Sequence, residues 1–248
     1  MKKLTRANIN QITCLLILFS ISCSQQKQAG EVTSTTPEPE PEWVTLFDGQ
    51  TLNGWKRYNA DEIGSLWNVE DGIIACFSEG GGEASSSGGS LITVKQYGNF
   101  ELSLEFKLSP DGNSGIMYHI VESDSFPYAY STGPEYQLAD DGTDAYSSES
   151  NKITAANYDM HPASADKKLN PVGEWNTAGI VYNNGHVEHW LNGEKVLEFE
   201  EGGEDWNSRY NKSKWVEYPG WNQFKKGSIG IQDHGNYTWF KNIRIREL

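Results

Sequence analysis

Cysteine is scarce in this sequence, with three in 248 residues. Cys14 lies in an apolar leader and Cys23 directly follows it. Cys76 is left alone, which excludes a disulfide inside the folded part. In Ile73-Ile74-Ala75-Cys76-Phe77 it reads as a small core residue. No surrounding motif supports a nucleophile there. Positive charge is also short: 20 Lys and Arg face 34 Asp and Glu, a net charge of −14. Removing residues 1–22 takes away Lys2, Lys3 and Arg6 and no acid, so 17 bases then face 34 acids, or −17. A surface of that sign argues against nucleic acid as a partner. It does not identify a substrate, because net charge speaks to solubility more than to chemistry. No apolar run reaches the roughly 20 residues that a membrane-spanning helix needs. The glycine- and serine-rich stretch from Glu79 to Gly89 has no phosphate-loop lysine, which excludes a nucleotide site. No long helical period is visible either.

What is present begins with a leader. Met1-Lys2-Lys3 and Arg6 precede an apolar stretch, Ile12 to Ile21, and then Ser22-Cys23-Ser24. A basic start, a short apolar core and small residues at the cut describe an export signal. The cysteine at the cut resembles a bacterial lipoprotein signal, with residues 1–22 removed and Cys23 carrying lipid. Ser20 stands where leucine is commoner. Residues 23–41 are rich in Gln, Ser, Thr, Glu and Pro, cannot bury a core, and read as a flexible tether. Residues 42–248 are long enough for one sizeable domain. The expected location is outside the cytoplasm, in the periplasm or at the outer membrane or cell surface. The expected membrane contact is only the lipid at Cys23.

The domain reads as all-β. Phe100 to Leu108 alternates apolar and polar residues without a fault. Pro110-Asp111-Gly112-Asn113 supplies a turn, and Ile116 to Val121 resumes as a strand. Asn184-Gly185 and Asn192-Gly193 each separate β-rich runs. Asn-Gly suits the type I′ hairpin turn, which needs positive φ at both central residues. Residues 177–182, 186–191 and 195–199 therefore form a meander, and 228–232 and 238–246 close the domain. A short helix is expected within residues 205–214, and residues 155–168 read as a loop. Many short strands with glycine and asparagine turns point to a sandwich or a closed barrel. Nine tryptophans and twelve tyrosines are many for this length. Sugar sites use aromatic faces as platforms for the apolar C–H groups of a pyranose.

Function is most visible in Gly227-Ser-Ile-Gly-Ile-Gln-Asp-His-Gly235. Ile229 and Ile231 alternate with Gly230 and Gln232, which is strand spacing. The strand delivers Gln232, Asp233 and His234 to its end. An amide, a carboxylate and an imidazole in a row can bind polar groups and move protons. Other segments keep company with it: Leu46-Phe47-Asp48-Gly49-Gln50-Thr51-Leu52-Asn53-Gly54-Trp55, Gly112-Asn113-Ser114-Gly115-Ile116, Glu135-Tyr136-Gln137-Leu138, Gly173-Glu174-Trp175-Asn176 and His189-Trp190-Leu191-Asn192-Gly193. In this order they resemble the motifs of the 3-keto-disaccharide hydrolase family, also described as 3-keto-glucoside lyase/hydratase. The resemblance covers Trp43 to Leu248. It implies a concanavalin-A-like lectin/glucanase sandwich (a jelly roll of two antiparallel sheets) with a sugar cleft on a concave face. It also implies glucosides already oxidised to a ketone at C3. One departure is His119, where many members carry arginine.

Alternation sorts the candidates. Tyr136 and Leu138 fit the core, so Glu135 and Gln137 share the opposite face. Ile116 and Ile120 favour the core, which puts Met117 and His119 on the other side. Gln232 opposes Ile231. One consistent cleft set is therefore His119, Glu135, Gln137, Gln232 and His234, with Trp190 as a stacking platform and Asn113 as a further substrate contact. His161 lies in the loop. Asp140-Asp141-Gly142 looks like a turn first. Asp144, Glu149 and Asp159 lack calcium-loop spacing.

A ketone at C3 acidifies the hydrogen at C2. A base can take that proton while the group at C1 leaves, and water can then add back to give net hydrolysis. This needs a base, donors facing the C3 oxygen, and an acid for the leaving oxygen. The expected base is His119 or His234. Glu135 is expected to donate or orient a proton, Gln137 and Gln232 to contact substrate oxygens, and Asp233 to set a histidine tautomer. A divalent cation could stabilise the enolate, but no ligand motif is visible and no cofactor is assigned. Two rivals stand beside this reading. Ordinary retaining hydrolysis needs two carboxyl groups about 5 Å apart, and Glu135-x-Gln137 has an amide at the second position. A non-catalytic carbohydrate-binding lipoprotein needs aromatics and amides but no acid or base.

Overall fold

The computed structural model describes residues 41–77, 89–143 and 149–248. The leader, the tether, Cys23, Asp144 and most of the glycine-rich stretch lie outside the described residues. Thirteen strands run in chain order: β1 (Val44–Thr45), β2 (Trp55–Arg57), β3 (Trp67–Glu70), β4 (Ile73–Phe77), β5 (Leu91–Tyr97), β6 (Phe100–Leu108), β7 (Asn113–Ile120), β8 (Glu135–Ala139), β9 (Asn176–Asn183), β10 (His186–Leu191), β11 (Glu194–Glu200), β12 (Gly227–Ile231) and β13 (Tyr237–Glu247). Among the described residues, one α-helix, α1 (Glu204–Tyr210), and short 3-10 turns at Ala129–Ser131 and Lys214–Glu217 join them. No helix among the described residues is long and apolar enough to cross a membrane.

The strands form two antiparallel sheets. The larger has eight strands in the order β11-β10-β9-β6-β13-β4-β3, with β1 beside β13. The smaller has five, β2-β5-β12-β7-β8. This is the expected two-sheet sandwich. β6 explains why the sheets stack: Phe100, Leu102, Leu104, Phe106 and Leu108 are all buried and the residues between them are not. Each such side chain contributes about 1.5–3 kcal/mol on burial. From the smaller sheet Ile116, Tyr118, Tyr136, Leu138, Ile229 and Ile231 meet them in the same core. Cys76 is a buried core residue.

Both Asn-Gly pairs turn as their chemistry demands. Asn184 and Gly185 have φ of 52° and 91°, and Asn192 and Gly193 have 49° and 83°. Residues 155–161 have no strand of their own, yet they cover the free edge of β8: Ala155 N–H donates to Gln137 O at 2.9 Å and Tyr158 N–H to Glu135 O at 3.0 Å.

β7 departs from simple alternation. Met117 pairs with Gly230 of β12 and Ile120 with Ser228, so Tyr118 and His119 stand opposite Ile229 alone. The extra residue is a β-bulge, and His119 takes φ of 56° to accommodate it. The bulge resets the faces. Ile116 and Tyr118 enter the main core, while Met117 and Ile120 pack together on the other side with Tyr58, Ile92 and Ala129. The pairing of Ile116 with Ile120, and of Met117 with His119, is therefore corrected. The His119 ring sits edge-on to Tyr182 at 4.3 Å, and its Nε2–H donates to Gly98 O at 2.9 Å.

Three histidines are buried structural groups. Burial lowers His119, His161 and His189 each to about 4. His161 stacks on Phe199 with ring centroids 4.5 Å apart, and His189 Nδ1–H donates to Ala155 O at 2.9 Å. His186 alone is raised, chiefly by its hydrogen bond to Glu200. Between about pH 6.5 and 4 the unfolded chain binds more protons at the three buried rings than the native chain does, so stability falls as pH falls. His186 opposes this with one group. Urea unfolding should show a loss of at least about 1.4 kcal/mol, one pH unit of one such group, between pH 7 and pH 5. A flat or rising stability over that interval contradicts the neutral state of these rings.

Candidate functional site

The smaller sheet turns one face to the core and the other away. Glu135, Gln137, Gly115, Met117 and Asn113 share the outward face, set by Tyr136, Leu138 and Ile116 pointing inward. Gly115 pairs with Gln137, and Gln232 N–H donates to Gly115 O at 2.9 Å. Gly115 is therefore flanked by an amide side chain on each side. Glu135, one pair along, bends its carboxyl group over Gly115, where a Cβ would overlap the carboxylate. Gly115 is needed for close approach and not for an unusual φ.

Asn113 links the amides to the imidazole. Gln137 Nε2–H donates to Asn113 Oδ1 at 3.0 Å, and Asn113 Nδ2–H donates to His234 Nδ1 at 3.2 Å. An acceptor at Nδ1 places the proton of the neutral ring on Nε2. The pKa of His234 is lowered, mainly by the surrounding protein and also by the Lys214 charge, against its own backbone carbonyl and the Asp233 charge. His234 is thus a neutral N–H donor at pH 7. Its residue is exposed, whereas Glu135, Gln137 and Gln232 are nearly covered. The Oε1 atoms of Gln137 and Gln232 are buried without a partner.

Lys214, to which the sequence pattern assigns no site role, belongs here. Its ammonium lies 4.4 Å from the Trp215 ring, 4.5 Å from Tyr158 and 5.4 Å from Tyr130. Its backbone N–H donates to Asp159 Oδ2 at 2.8 Å. The aromatic group continues through Trp215 stacked on Trp221 at 4.8 Å and Tyr130 stacked on Tyr128 at 5.0 Å. A cation held by aromatic faces beside an imidazole is a legible chemical feature only in three dimensions, since residues 130, 158 and 214 are far apart in sequence.

Of the expected site residues, Glu135, Gln137, Gln232, Asn113 and His234 come together. Three do not join them as expected. His119 is removed by the bulge and points into the protein. Trp190 belongs to β10 in the other sheet, where its indole lies on the outer face and donates to Glu188 at 2.8 Å. Asp233 is buried and spends both oxygens on backbone: Oδ2 accepts from Gly89 N–H and Oδ1 from Gly235 N–H, each at 3.0 Å. It ties a turn together, and Asn113 sets the His234 tautomer instead. The other acids are also engaged. Asp140 accepts from the N–H groups of Asp111 and Gly142, and Asp141 pairs with Lys167 at 2.9 Å. Among the described residues, His186, Glu188 and Glu198 form a group that could hold a metal. It lies on the β10–β11 hairpin, and the Lys195 ammonium already bridges the two carboxylates.

Known proteins resemble this chain over most of its length. Residues 42–246 fit the model of the 3-keto-alpha-glucoside-1,2-lyase-like domain. The chain belongs to this family. A 3-keto-disaccharide hydrolase from Bacteroides thetaiotaomicron is 37% identical over 252 residues, spanning 92% of this chain and 87% of that protein. A crystal structure of a candidate glycosyl hydrolase from Parabacteroides distasonis is 37% identical, with a TM-score of 0.74 over 83% of this chain and 94% of that one. A galectin-like-fold protein of unknown function from Bacillus subtilis, 12% identical, matches 78% of this chain and 89% of its own with a TM-score of 0.50. The fold is the concanavalin-A-like lectin/glucanase sandwich.

Two substitutions check the site. G115A should cost about 1–3 kcal/mol through overpacking, and most of that cost should vanish in an E135A background, as a double-mutant cycle measures. Additive costs would mean the carboxylate does not rest on Gly115. N113D puts a carboxylate at Nδ1 and should raise the His234 pKa by about one unit or more. An NMR titration reads this directly, and a wild-type His234 titrating above the ordinary value contradicts the relay.

Proposed function

We propose that this chain is a carbohydrate-cleaving enzyme that acts on glucosides carrying a ketone at C3, by elimination at C1 and C2. Family membership and the 37% identical 3-keto-disaccharide hydrolase support the substrate class. The observation that carries the mechanism is one carboxylate, Glu135, set among amides, with the Asp233 oxygens spent on backbone. Retaining hydrolysis needs a second carboxylate about 5 Å away. Elimination beside a ketone needs only one base.

In this reading Glu135 takes the proton from C2. The electrons of that C–H bond pass toward the C3 carbonyl to give an enolate, and then form the C1–C2 double bond as the C1–O bond breaks. The enolate charge that develops at the C3 oxygen is met by the His234 Nε2–H and the Lys214 ammonium. The leaving oxygen needs one proton, and the carboxyl formed at Glu135 holds one. Gln137 and Gln232 present acceptor oxygens to substrate hydroxyls. Water adding across C1–C2 gives net hydrolysis. The export signal and Cys23 support a place outside the cytoplasm on a lipid anchor.

Turnover of a 3-keto-glucoside in D2O tests this. The released 3-keto-glucose should carry solvent deuterium at C2 beyond that gained by free product incubated alone. A C2 hydrogen retained in full means direct hydrolysis. E135Q should lower turnover about 10²–10⁴-fold, and the unmodified glucoside should not be cleaved.

A further inference from the structure

We propose that a second saccharide-binding site lies at the far end of β7, beyond the bulge. A cavity of about 680 Å³ opens there between the β5–β6 turn, the Asn184-Gly185 turn, the end of β11 and the segment before β12. That volume suits a small ligand, for which pockets of about 300–1,000 Å³ are usual. None of the residues assigned to the Glu135 site lines it.

Its chemistry selects a neutral, hydroxyl-bearing ring. Glu201 lines the cavity with its side chain only 5% exposed. One carboxylate oxygen accepts from Tyr182 OH at 2.9 Å and from Lys225 Nζ at 2.6 Å, and Oε1 has no partner. A buried carboxylate oxygen with open acceptor capacity is costly unless something donates to it. Trp206 lines the same cavity with its Nε1–H also unpartnered. The pocket wall therefore carries a carboxylate and an indole that each leave one covered polar atom without a partner. Anionic ligands are opposed by Glu201. Cations are opposed by Lys225 and by Lys226 beside it. A hydroxyl both donates and accepts, and a pyranose presents C–H faces to an indole. The occupancy of this pocket does not depend on the reaction at Glu135.

An NMR titration of the full chain with cellobiose, using the backbone amides and tryptophan indoles as reporters, decides the matter. Binding should move the signals of Asn99, Gly185, Gly202 and the Trp206 indole. E201Q should weaken that binding about tenfold, the size of one hydrogen bond to a charged group. W206F should also weaken it and serves if E201Q does not fold. Both variants should retain turnover of a 3-keto-glucoside. The proposal is overturned if cellobiose moves no signals, if it moves only those near Gly115 and Gln137, or if inorganic phosphate moves the pocket signals more strongly than cellobiose.

Discussion

The Glu135 carboxylate rests on the bare backbone of Gly115, and the outward face of the smaller sheet is arranged around that contact. A side chain at residue 115 would push the carboxylate off the sheet. With none, the carboxylate lies along β7, between strands that carry Gln137 and Gln232. The edge strand that holds Glu135 is itself kept in register by residues 155–158, whose backbone closes its free side. The segment that looked like a loop is thus part of the sheet's hydrogen bonding.

The flanking amides matter because they are neutral. A second carboxylate here would raise the energy of an enolate and of Glu135 itself, by like-charge repulsion in a poorly hydrated place. A hydrogen-bond chain from Gln137 through Asn113 to His234 fixes the orientation of both amides, while the Gln137 and Gln232 oxygens are left for other donors. Positive charge enters at Lys214, where aromatic rings hold it. In a chain with 34 acidic residues against 20 basic ones, an ammonium held near the site offsets part of the local negative charge.

What could be read from sequence was what is local. The alternation of β6 and the two Asn-Gly turns are fixed by neighbours one or two residues away, and they stand as read. Glu135 and Gln137 were placed correctly because Tyr136 and Leu138 leave them only one face. His119 was misplaced because the bulge depends on pairing with β12, where Ile229 alone faces two residues. Trp190 was misplaced because period two says which residues share a face but not which sheet the strand joins. Asp233 needed Gly89, distant in sequence, to reveal its role, and Lys214 needed Tyr130 and Tyr158.

The bulge also explains how a histidine is tolerated at residue 119. The ring is pressed against Tyr182, and burial lowers its pKa to about 4, so it is neutral at pH 7. A neutral imidazole requires one hydrogen-bond acceptor, and Gly98 O supplies it. An arginine at this position would keep its charge when buried and would require a carboxylate. Glu201 is bonded to the same Tyr182 that packs on the His119 ring. The identity of residue 119 and the electrostatic load on Glu201 are therefore physically linked. With histidine there, Glu201 is paired with Lys225 and keeps one buried oxygen without a partner among the described residues.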